Sequence, residues 1–65
     1  MQEKTFYAVA MTIFFDGRAI VRHAGIGRAY IRPKNKFTQG TDANRYIDWF
    51  DSYEAAQQFI EDNTL

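Results

Sequence analysis

The first long apolar segment covers residues 5–15 and is rich in aromatic and β-branched side chains, a composition typical of β-strands. It ends at Asp16-Gly17, and an Asp-Gly pair between two apolar runs is a strong hairpin signal, because a type I′ turn needs two residues with positive φ. The pattern therefore predicts a first strand over residues 5–15 and a second over about 18–24, joined by a two-residue turn.

Side chains alternate between the two sides of a strand, so the first strand has two distinct sides. The odd-numbered side carries large residues, which are Tyr7, Val9, Met11, Ile13 and Phe15. The even-numbered side is flatter and carries smaller residues, which are Phe6, Ala8, Ala10, Thr12 and Phe14. The two-residue turn would place Met11 opposite Arg22. A strand that is apolar on both sides is normally covered on both, but a chain of this size supplies one helix. The even-numbered side is therefore predicted to be partly exposed, or covered by a second copy or a partner.

The middle of the chain predicts further strands and one long loop. Residues 25–27, Gly-Ile-Gly, interrupt the pattern as a turn or as a bulge within one long bent strand. Residues 28–32 resume as a third strand, which Pro33 ends because proline has no N–H to donate to the sheet. The polar segment 34–44 is predicted to be a loop, and residues 45–50 form a fourth strand.

A helix follows the fourth strand. Asp51 at its N-cap would place Glu54 at the third helical position, which is a capping-box arrangement, and Asn63 would end the helix after Asp62. The apolar stripe is Ala56, Phe59 and Ile60, while Gln57, Gln58, Glu61 and Asp62 are predicted to face water. The sequence therefore predicts a single α+β domain over residues 1–65, with an antiparallel sheet of three to four strands and one C-terminal helix packed on one side.

Composition limits the class of protein further. The 65 residues are 46% hydrophobic and 17% aromatic, enough for one small core. There is no cysteine, so neither disulfides nor a thiolate zinc site can stabilise the fold. The longest uncharged run, residues 5–15, is about half of a membrane-spanning helix, and the N-terminus lacks the features of a secretory signal. We expect a complete, soluble, cytoplasmic protein.

Charge is balanced overall but separated along the chain. The net charge is zero, yet residues 18–36 hold six Lys or Arg and no acid, whereas residues 42–62 hold six Asp or Glu and one Arg. Such segments can neutralise each other through ion pairs, or they can present two faces of opposite sign to partners. The sequence leaves both interpretations open.

Groups capable of catalysis are few. There is no cysteine nucleophile, the single Ser52 is explained by helix capping, and His23 lies in the middle of a predicted strand. Gly25-x-Gly27 lacks the third glycine, the lysine and the following helix of a phosphate-binding loop. No spacing of histidine and carboxylates indicates a metal site. We therefore expect a protein that is not an enzyme and that has no cofactor.

Nucleic-acid binding is one of two functional hypotheses. If the second and third predicted strands are continuous, three arginines share one side with a tyrosine between two of them, and two lysines extend the row. Such a surface can pair phosphates and stack bases. The candidate residues are Arg22, Arg28, Tyr30, Arg32, Lys34 and Lys36. The start of the helix also resembles that of small DNA-binding sheet domains, such as AP2-like and integrase arm-binding domains, through Phe50, Ser52, Glu54, Ala55 and Ala56.

Protein binding is the other hypothesis, and it uses the acidic end of the chain. An exposed strand side, an unpaired sheet edge and an acidic helix surface are all features that partners use. An acidic surface on a small domain can occupy a basic groove built for nucleic acid, and complementary charge speeds the encounter. The candidate partner-binding residues are Asp48, Asp51, Glu54, Glu61 and Asp62.

Two short motifs carry a resemblance to a known class of proteins. Residues 15–18, Phe-Asp-Gly-Arg, and residues 50–54, Phe-Asp-Ser-Tyr-Glu, occur in a hairpin–strand–helix order that resembles small phage-encoded anti-CRISPR proteins. The resemblance implies an inhibitor, encoded by a phage or mobile element, that binds a CRISPR effector in the host cytoplasm without chemistry. It carries over no contact residue. We favour this interpretation, and a homodimer through Phe6, Ala8, Ala10 and Phe14 is compatible with either hypothesis.

Overall fold

Four β-strands and one helix form the fold. The structure is a computed structural model that describes residues 2–64, so Met1 and Leu65 of the predicted domain lie outside the described residues. The elements are β1 (Lys4–Phe14), β2 (Ala19–Ala29), β3 (Lys36–Gln39), β4 (Ala43–Phe50) and α1 (Tyr53–Asp62). This arrangement confirms the predicted α+β class, with an antiparallel sheet and a C-terminal helix. Among residues 2–64, no helix has the length and apolar character needed to cross a membrane.

β1 lies inside the sheet, whose strand order is β2-β1-β4-β3, and every neighbouring pair is antiparallel. The link between β2 and β3, residues 30–35, therefore joins strands at opposite edges. Within this link, the side-chain Oδ1 of Asn35 accepts a hydrogen bond from the backbone N–H of Trp49 at 2.9 Å. This bond attaches the link to β4 immediately before β3 begins.

The strand count of four is right, but two of the predicted strands are not. The predicted second strand continues through the glycines as β2, which confirms the alternative of one long bent strand, but β2 ends at Ala29, so residues 30–32 of the predicted third strand lie outside it. The predicted loop 34–44 contains β3, whose four residues are all exposed. The loop prediction is wrong because Lys-Phe-Thr-Gln carries little strand signal of its own and is held by pairing with β4, where Phe37 lies opposite Tyr46.

The hairpin between β1 and β2 has a three-residue loop instead of the predicted two-residue turn. The N–H of Phe14 donates to the Arg18 carbonyl at 2.8 Å, and the N–H of Gly17 donates to the Phe14 carbonyl at 3.0 Å. Gly17 has a φ of 98°, and among the described residues only glycines have a positive φ. Asp16 therefore does not adopt a type I′ turn, and its carboxylate accepts from the Arg18 backbone N–H at 3.1 Å.

The longer loop shifts the strand register by one residue. Met11 lies opposite Val21 and Ala10 lies opposite Arg22, so the predicted pairing of Met11 with Arg22 is wrong. A shift of one residue exchanges the two sides of a strand, because side chains alternate with a period of two. The cations of β2 are consequently distributed differently from the prediction.

A bulge exchanges the sides of β2 a second time. Val9 pairs with His23 and Ala8 pairs with Gly25, so Ala24 is one extra residue in β2. Gly25 has a φ of 136°, a conformation that glycine adopts without strain. Two even-numbered residues of β2, one before the bulge and one after it, therefore lie on opposite sides of the sheet, and the same is true of two odd-numbered residues.

α1 packs on the odd-numbered side of β1, which confirms the predicted placement. The ring of Tyr53 contacts that of Tyr7 with centroids 6.1 Å apart, and Phe59 contacts Phe50 at 5.2 Å. Ala56, in the predicted apolar stripe, is fully buried. The helix therefore covers the end of this side that holds the first half of β1.

The helix caps agree with the sequence in part. Ser52 is the N-cap, and its Oγ accepts from the Ala55 N–H at 3.1 Å. The predicted capping box is therefore wrong, because Glu54 is the second helical residue and not the third. Asn63 ends the helix as predicted, and its side-chain Nδ2 donates to the Phe59 carbonyl at 2.8 Å.

The even-numbered side of β1 is covered at one end only. Phe6 and Ala8 are buried, although no helix lies on this side. Trp49 lies opposite Ala8, and a Cβ atom at Gly27 would come within 3.2 Å of two carbons of its ring. The missing side chain at Gly27 lets the indole approach β2 and cover this end. Residues 10–14 on the same side are only half-buried, which agrees with the predicted partial exposure.

Candidate binding surfaces

The basic and acidic segments do not neutralise each other through ion pairs. Among residues 2–64, the ion pairs are Arg18 with Asp16 at 2.8 Å and Arg45 with Asp42 at 3.9 Å. Both join neighbours in sequence, and neither joins the basic segment 18–36 to the acids at positions 48–62. The basic segment and the acids at positions 48–62 are therefore not joined by ion pairs in the folded chain.

The first surface is the acidic helix surface, which consists of Glu54, Glu61 and Asp62. All three are exposed, and their spacing of seven and eight residues places them along one side of α1. The amide of Gln58 donates to Asp62 Oδ1 at 2.8 Å, and that of Gln57 donates to Glu61 Oε2 at 3.3 Å. The side chains of Glu61 and Asp62 thus each accept a hydrogen bond from a glutamine one turn earlier. The last turn of the helix contains no basic residue.

The other two predicted partner-binding residues lie away from this surface. Asp48 is half-buried on the helix-bearing side of the sheet, where it lies opposite Val9. Asp51 is exposed between β4 and α1 and borders an open cleft of about 430 Å³ together with Lys4 and Arg32. The structure therefore brings together three of the five predicted acids.

The second surface is the open sheet face, defined as the side of the sheet opposite the helix beyond Trp49. One cross-strand row on this face consists of Arg22, Ala10, Ile47 and Lys36, and the next consists of Ile20, Thr12, Arg45 and Thr38. Small side chains of β1 form the floor, and larger or cationic side chains rise from the neighbouring strands. No paired strand position on this face holds Asp or Glu.

The cations of this face lie around its floor. Arg22 and Lys36 belong to the outer strands of one row, so about 14 Å separates their backbones at a strand spacing of about 4.8 Å. Arg45 lies between them in the next row. At the hairpin end, the guanidinium of Arg18 lies over the ring of Phe14, 4.8 Å from its centroid. Arg18 and Arg45 also belong to the two ion pairs described above, so a long anionic partner would meet Arg22 and Lys36 as the cations of this face outside those pairs.

The predicted nucleic-acid-binding residues do not form one row. Arg22 and Lys36 lie on the open sheet face, but the bulge at Ala24 places Arg28 on the helix-bearing side, opposite Thr5. The other three predicted residues are in the link between β2 and β3: Tyr30, Arg32 and Lys34. The expectation of a shared side is therefore wrong for Arg28.

Sequence reasoning missed Arg45, which the structure adds to the open sheet face. A signal for it was present, because Arg45 has the same parity as Ile47 and Trp49 in the predicted fourth strand. It was hidden because the chain around Arg45 is acidic. Only the pairing of β4 with β1 and β3 brings Arg45 next to the row of Arg22 and Lys36.

His23 connects the sheet to the helix. Its ring stacks on Tyr53 with centroids 5.0 Å apart and an interplanar angle of 8°, and its Nε2 lies 2.8 Å from Gln57 Oε1. Gln57 is therefore half-buried against β2, and the prediction that it faces water is wrong. Among residues 2–64, no group of three or more His, Asp or Glu side chains could hold a metal ion.

Two surfaces that carry charges of opposite sign thus lie on opposite sides of one sheet, and each could bind a charged partner. The acidic helix surface gathers part of the predicted acidic set, and the open sheet face gathers a basic set that differs from the predicted one. Comparison of the chain with protein-family models, curated proteins and solved structures found no match.

Proposed function

We propose that this protein is a binding inhibitor that occupies a basic groove of another protein through its acidic helix surface and performs no chemistry of its own. The resemblance to phage-encoded anti-CRISPR proteins suggests a nucleic-acid-handling complex, such as a CRISPR effector, as the target in the host cytoplasm. The supporting observation is that Glu54, Glu61 and Asp62 form no ion pair with a described cation. A basic partner would supply the missing countercharge.

The placement of two of these acids supports the proposal energetically. Glu61 and Asp62 lie in the last turn of α1, where the helix dipole presents its negative end and an acidic side chain costs about 0.3–1 kcal/mol. Their charge therefore does not stabilise the isolated helix. Opposite charge on a partner would favour binding and accelerate association, most strongly at low ionic strength.

Charge reversal tests this proposal. The combined variant Glu54→Lys, Glu61→Lys and Asp62→Lys should lose inhibition of target cleavage by a sensitive CRISPR effector, with binding weakened roughly 100-fold. The matched control is Arg22→Glu with Lys36→Glu and Arg45→Glu, which also reverses three charges but on the other side of the sheet. The proposal would be contradicted if inhibition survived reversal of the helix acids. It would also be contradicted if the native chain inhibited no effector in a broad panel.

A second candidate function is binding of single-stranded nucleic acid on the open sheet face. It is favoured by Arg22, Lys36 and Arg45 on a face whose paired positions hold no acid, and by Trp49 at the border of that face. Cations contact phosphates, and an aromatic ring offers a surface on which a base can stack. The acids on the helix lie on the other side of the sheet, and Arg45 has one nearby carboxylate, that of Asp42 at 3.9 Å.

A salt titration distinguishes the two candidates. For single-stranded DNA or RNA contacting three cations, the logarithm of affinity should fall with the logarithm of salt concentration with a slope of about −2. The variant with Arg22→Glu, Lys36→Glu and Arg45→Glu should lose this binding. The variant in which the three helix acids are replaced by Lys should bind nucleic acid as well as the native chain or more tightly. Absence of binding at low salt would eliminate the second candidate and leave the inhibitor proposal untouched.

A further inference from the structure

The helix covers only part of the side on which it packs. A helix of ten residues is about 15 Å long, whereas a strand of eleven residues is about 37 Å long. The aromatic contacts of α1 involve Tyr7, His23 and Phe50, which lie toward the start of β1. The same side of the sheet continues for two more cross-strand rows toward the hairpin loop.

Those two rows form an uncharged surface that is largely apolar. The first row consists of Val21, Met11, Tyr46 and Phe37, and the second consists of Ala19, Ile13, Asn44 and Gln39. Phe37 packs against Tyr46 with ring centroids 5.0 Å apart, yet it is 54% exposed, and Ile13 is 38% exposed. We name the five large apolar residues of these two rows the uncharged patch: Met11, Ile13, Val21, Phe37 and Tyr46.

The dimensions of the molecule show how much coverage is missing. The Cα radius of gyration is 12.8 Å, against about 11 Å for a compact domain of this length. The accessible surface is 5023 Å², whereas a folded monomer of this mass exposes about 4,300 Å². The Cα extents of 45 × 23 × 12 Å describe a long, thin body with much of its sheet uncovered.

We propose that a second copy of this chain covers the uncharged patch, so that the protein forms a twofold-symmetric dimer. In such a dimer the same surface meets itself, and a charged surface would face its own charge. The acidic helix surface and the open sheet face both carry one sign and would repel their copies. Two copies of the uncharged patch do not repel each other in this way, and formation of the dimer removes their apolar surface from water, which favours association.

This interface differs from the homodimer expected from the sequence. That dimer would use Phe6, Ala8, Ala10 and Phe14, but Phe6 and Ala8 are buried within the chain. Two copies meeting there would also bring the cations of both open sheet faces together. A dimer through the uncharged patch instead leaves both charged surfaces free, so it is independent of the proposed function.

The expected interface is small. Five partly exposed side chains amount to roughly 300–400 Å² per copy, below the roughly 800 Å² of a standard interface. The dimer should therefore dissociate on dilution. Sedimentation velocity of the full chain, from low micromolar to near-millimolar concentration, should show the mass rising from 7.6 kDa toward twice that value.

Matched variants test the location of the interface. Ile13→Lys, on the uncharged patch, should remain monomeric at every concentration, and Phe37→Ser should behave in the same way if the first variant is destabilised. Ile20→Lys, on the open sheet face, changes an isoleucine of comparable exposure in the neighbouring strand and should dimerise as the native chain does. Circular dichroism checks that each variant is folded.

Three results would overturn the proposal. One is a native chain that stays monomeric at the highest concentration, which would leave the patch to a different partner. Another is a dimer that Ile20→Lys disrupts and Ile13→Lys does not, which would place the interface on the open sheet face. The third is a dimer that survives both Ile13→Lys and Phe37→Ser with the native affinity.

Discussion

The helix-bearing end of the sheet and its hairpin end share β1, β2 and β4, but most of the buried side chains lie at the helix-bearing end, whereas Ala43 is the buried residue at the hairpin end. Val9, between sheet and helix, is almost completely buried, and Phe6 on the opposite side is buried as well. Ile13, four residues further along β1 on the same side as Val9, is exposed. Burial in this fold therefore depends on what covers a residue, α1 on one side of the sheet and Trp49 on the other, and not only on how apolar the residue is.

The two ends also differ in what they offer to partners. The helix-bearing end carries the acids of α1 on its outer surface, whereas the hairpin end has the uncharged patch on one side and cations on the other. The core thus lies at the end that carries the acidic helix surface, whereas the uncharged patch and the cations of the open sheet face lie toward the other end. Substitutions at the two ends should consequently change different measurable properties.

The largest expected effect compares equivalent positions of β1 at the two ends. Val9→Ala should lower the free energy of unfolding by about 2 kcal/mol, because a buried side chain leaves a cavity. Ile13→Ala removes one more carbon atom but should cost about 1 kcal/mol or less, because that side chain is already exposed. Urea denaturation at low micromolar concentration measures both in the monomer. Equal losses would mean that the hairpin end has a core of its own.

An intermediate effect concerns the start of α1, on which coverage of the sheet depends. Ser52→Ala should lower the free energy of unfolding by about 1 kcal/mol, because the N–H of Ala55 loses its acceptor. Asp51→Ala, one residue earlier, should change it by no more than about 0.5 kcal/mol. Thermal unfolding followed by circular dichroism measures the difference. The reverse order of effects would identify Asp51 as the N-cap.

The smallest effect concerns the acids on the helix-bearing end. Glu61→Gln with Asp62→Asn should raise the free energy of unfolding by about 0.3–1 kcal/mol, because the variant removes negative charge from the negative end of the helix dipole. Glu54→Gln, in the first turn, should have the opposite sign. Both effects should shrink as salt is added. A loss of stability on neutralising the C-terminal acids would show that they stabilise the fold, and would weaken the argument for a basic partner.

Local sequence signals predicted the elements of the covered end well. The first strand was predicted within one residue of β1, the end of the helix at Asp62 is confirmed, and the side of the sheet on which α1 packs is correct. These features depend on side-chain alternation, helical spacing and terminal residues such as Asn63, all of which act over a few positions. The same signals failed at Lys36–Gln39, since an exposed edge strand has no apolar alternation to reveal it.

The candidate surfaces were predicted less well, because membership of a face depends on strand register. Arg22 and Arg28 have the same parity in sequence but lie on opposite sides, since one extra residue at Ala24 reverses the alternation. Arg45 joins the basic face through the pairing of β4 and not through its neighbours in sequence. The acids of α1 were easier to group, because helical spacing alone places Glu54 and Glu61 on one side.

The sequence by itself determined the α+β class, the central apolar strand, the capped C-terminal helix and the separation of charge along the chain. These properties follow from local preferences that do not depend on which strands pair. Only the tertiary structure decided the strand order, the register after Gly17, the pairing of β3 and the residues that form each charged surface. A single residue in a loop or bulge changes them, and the free energy that selects one arrangement comes from contacts between distant parts of the chain.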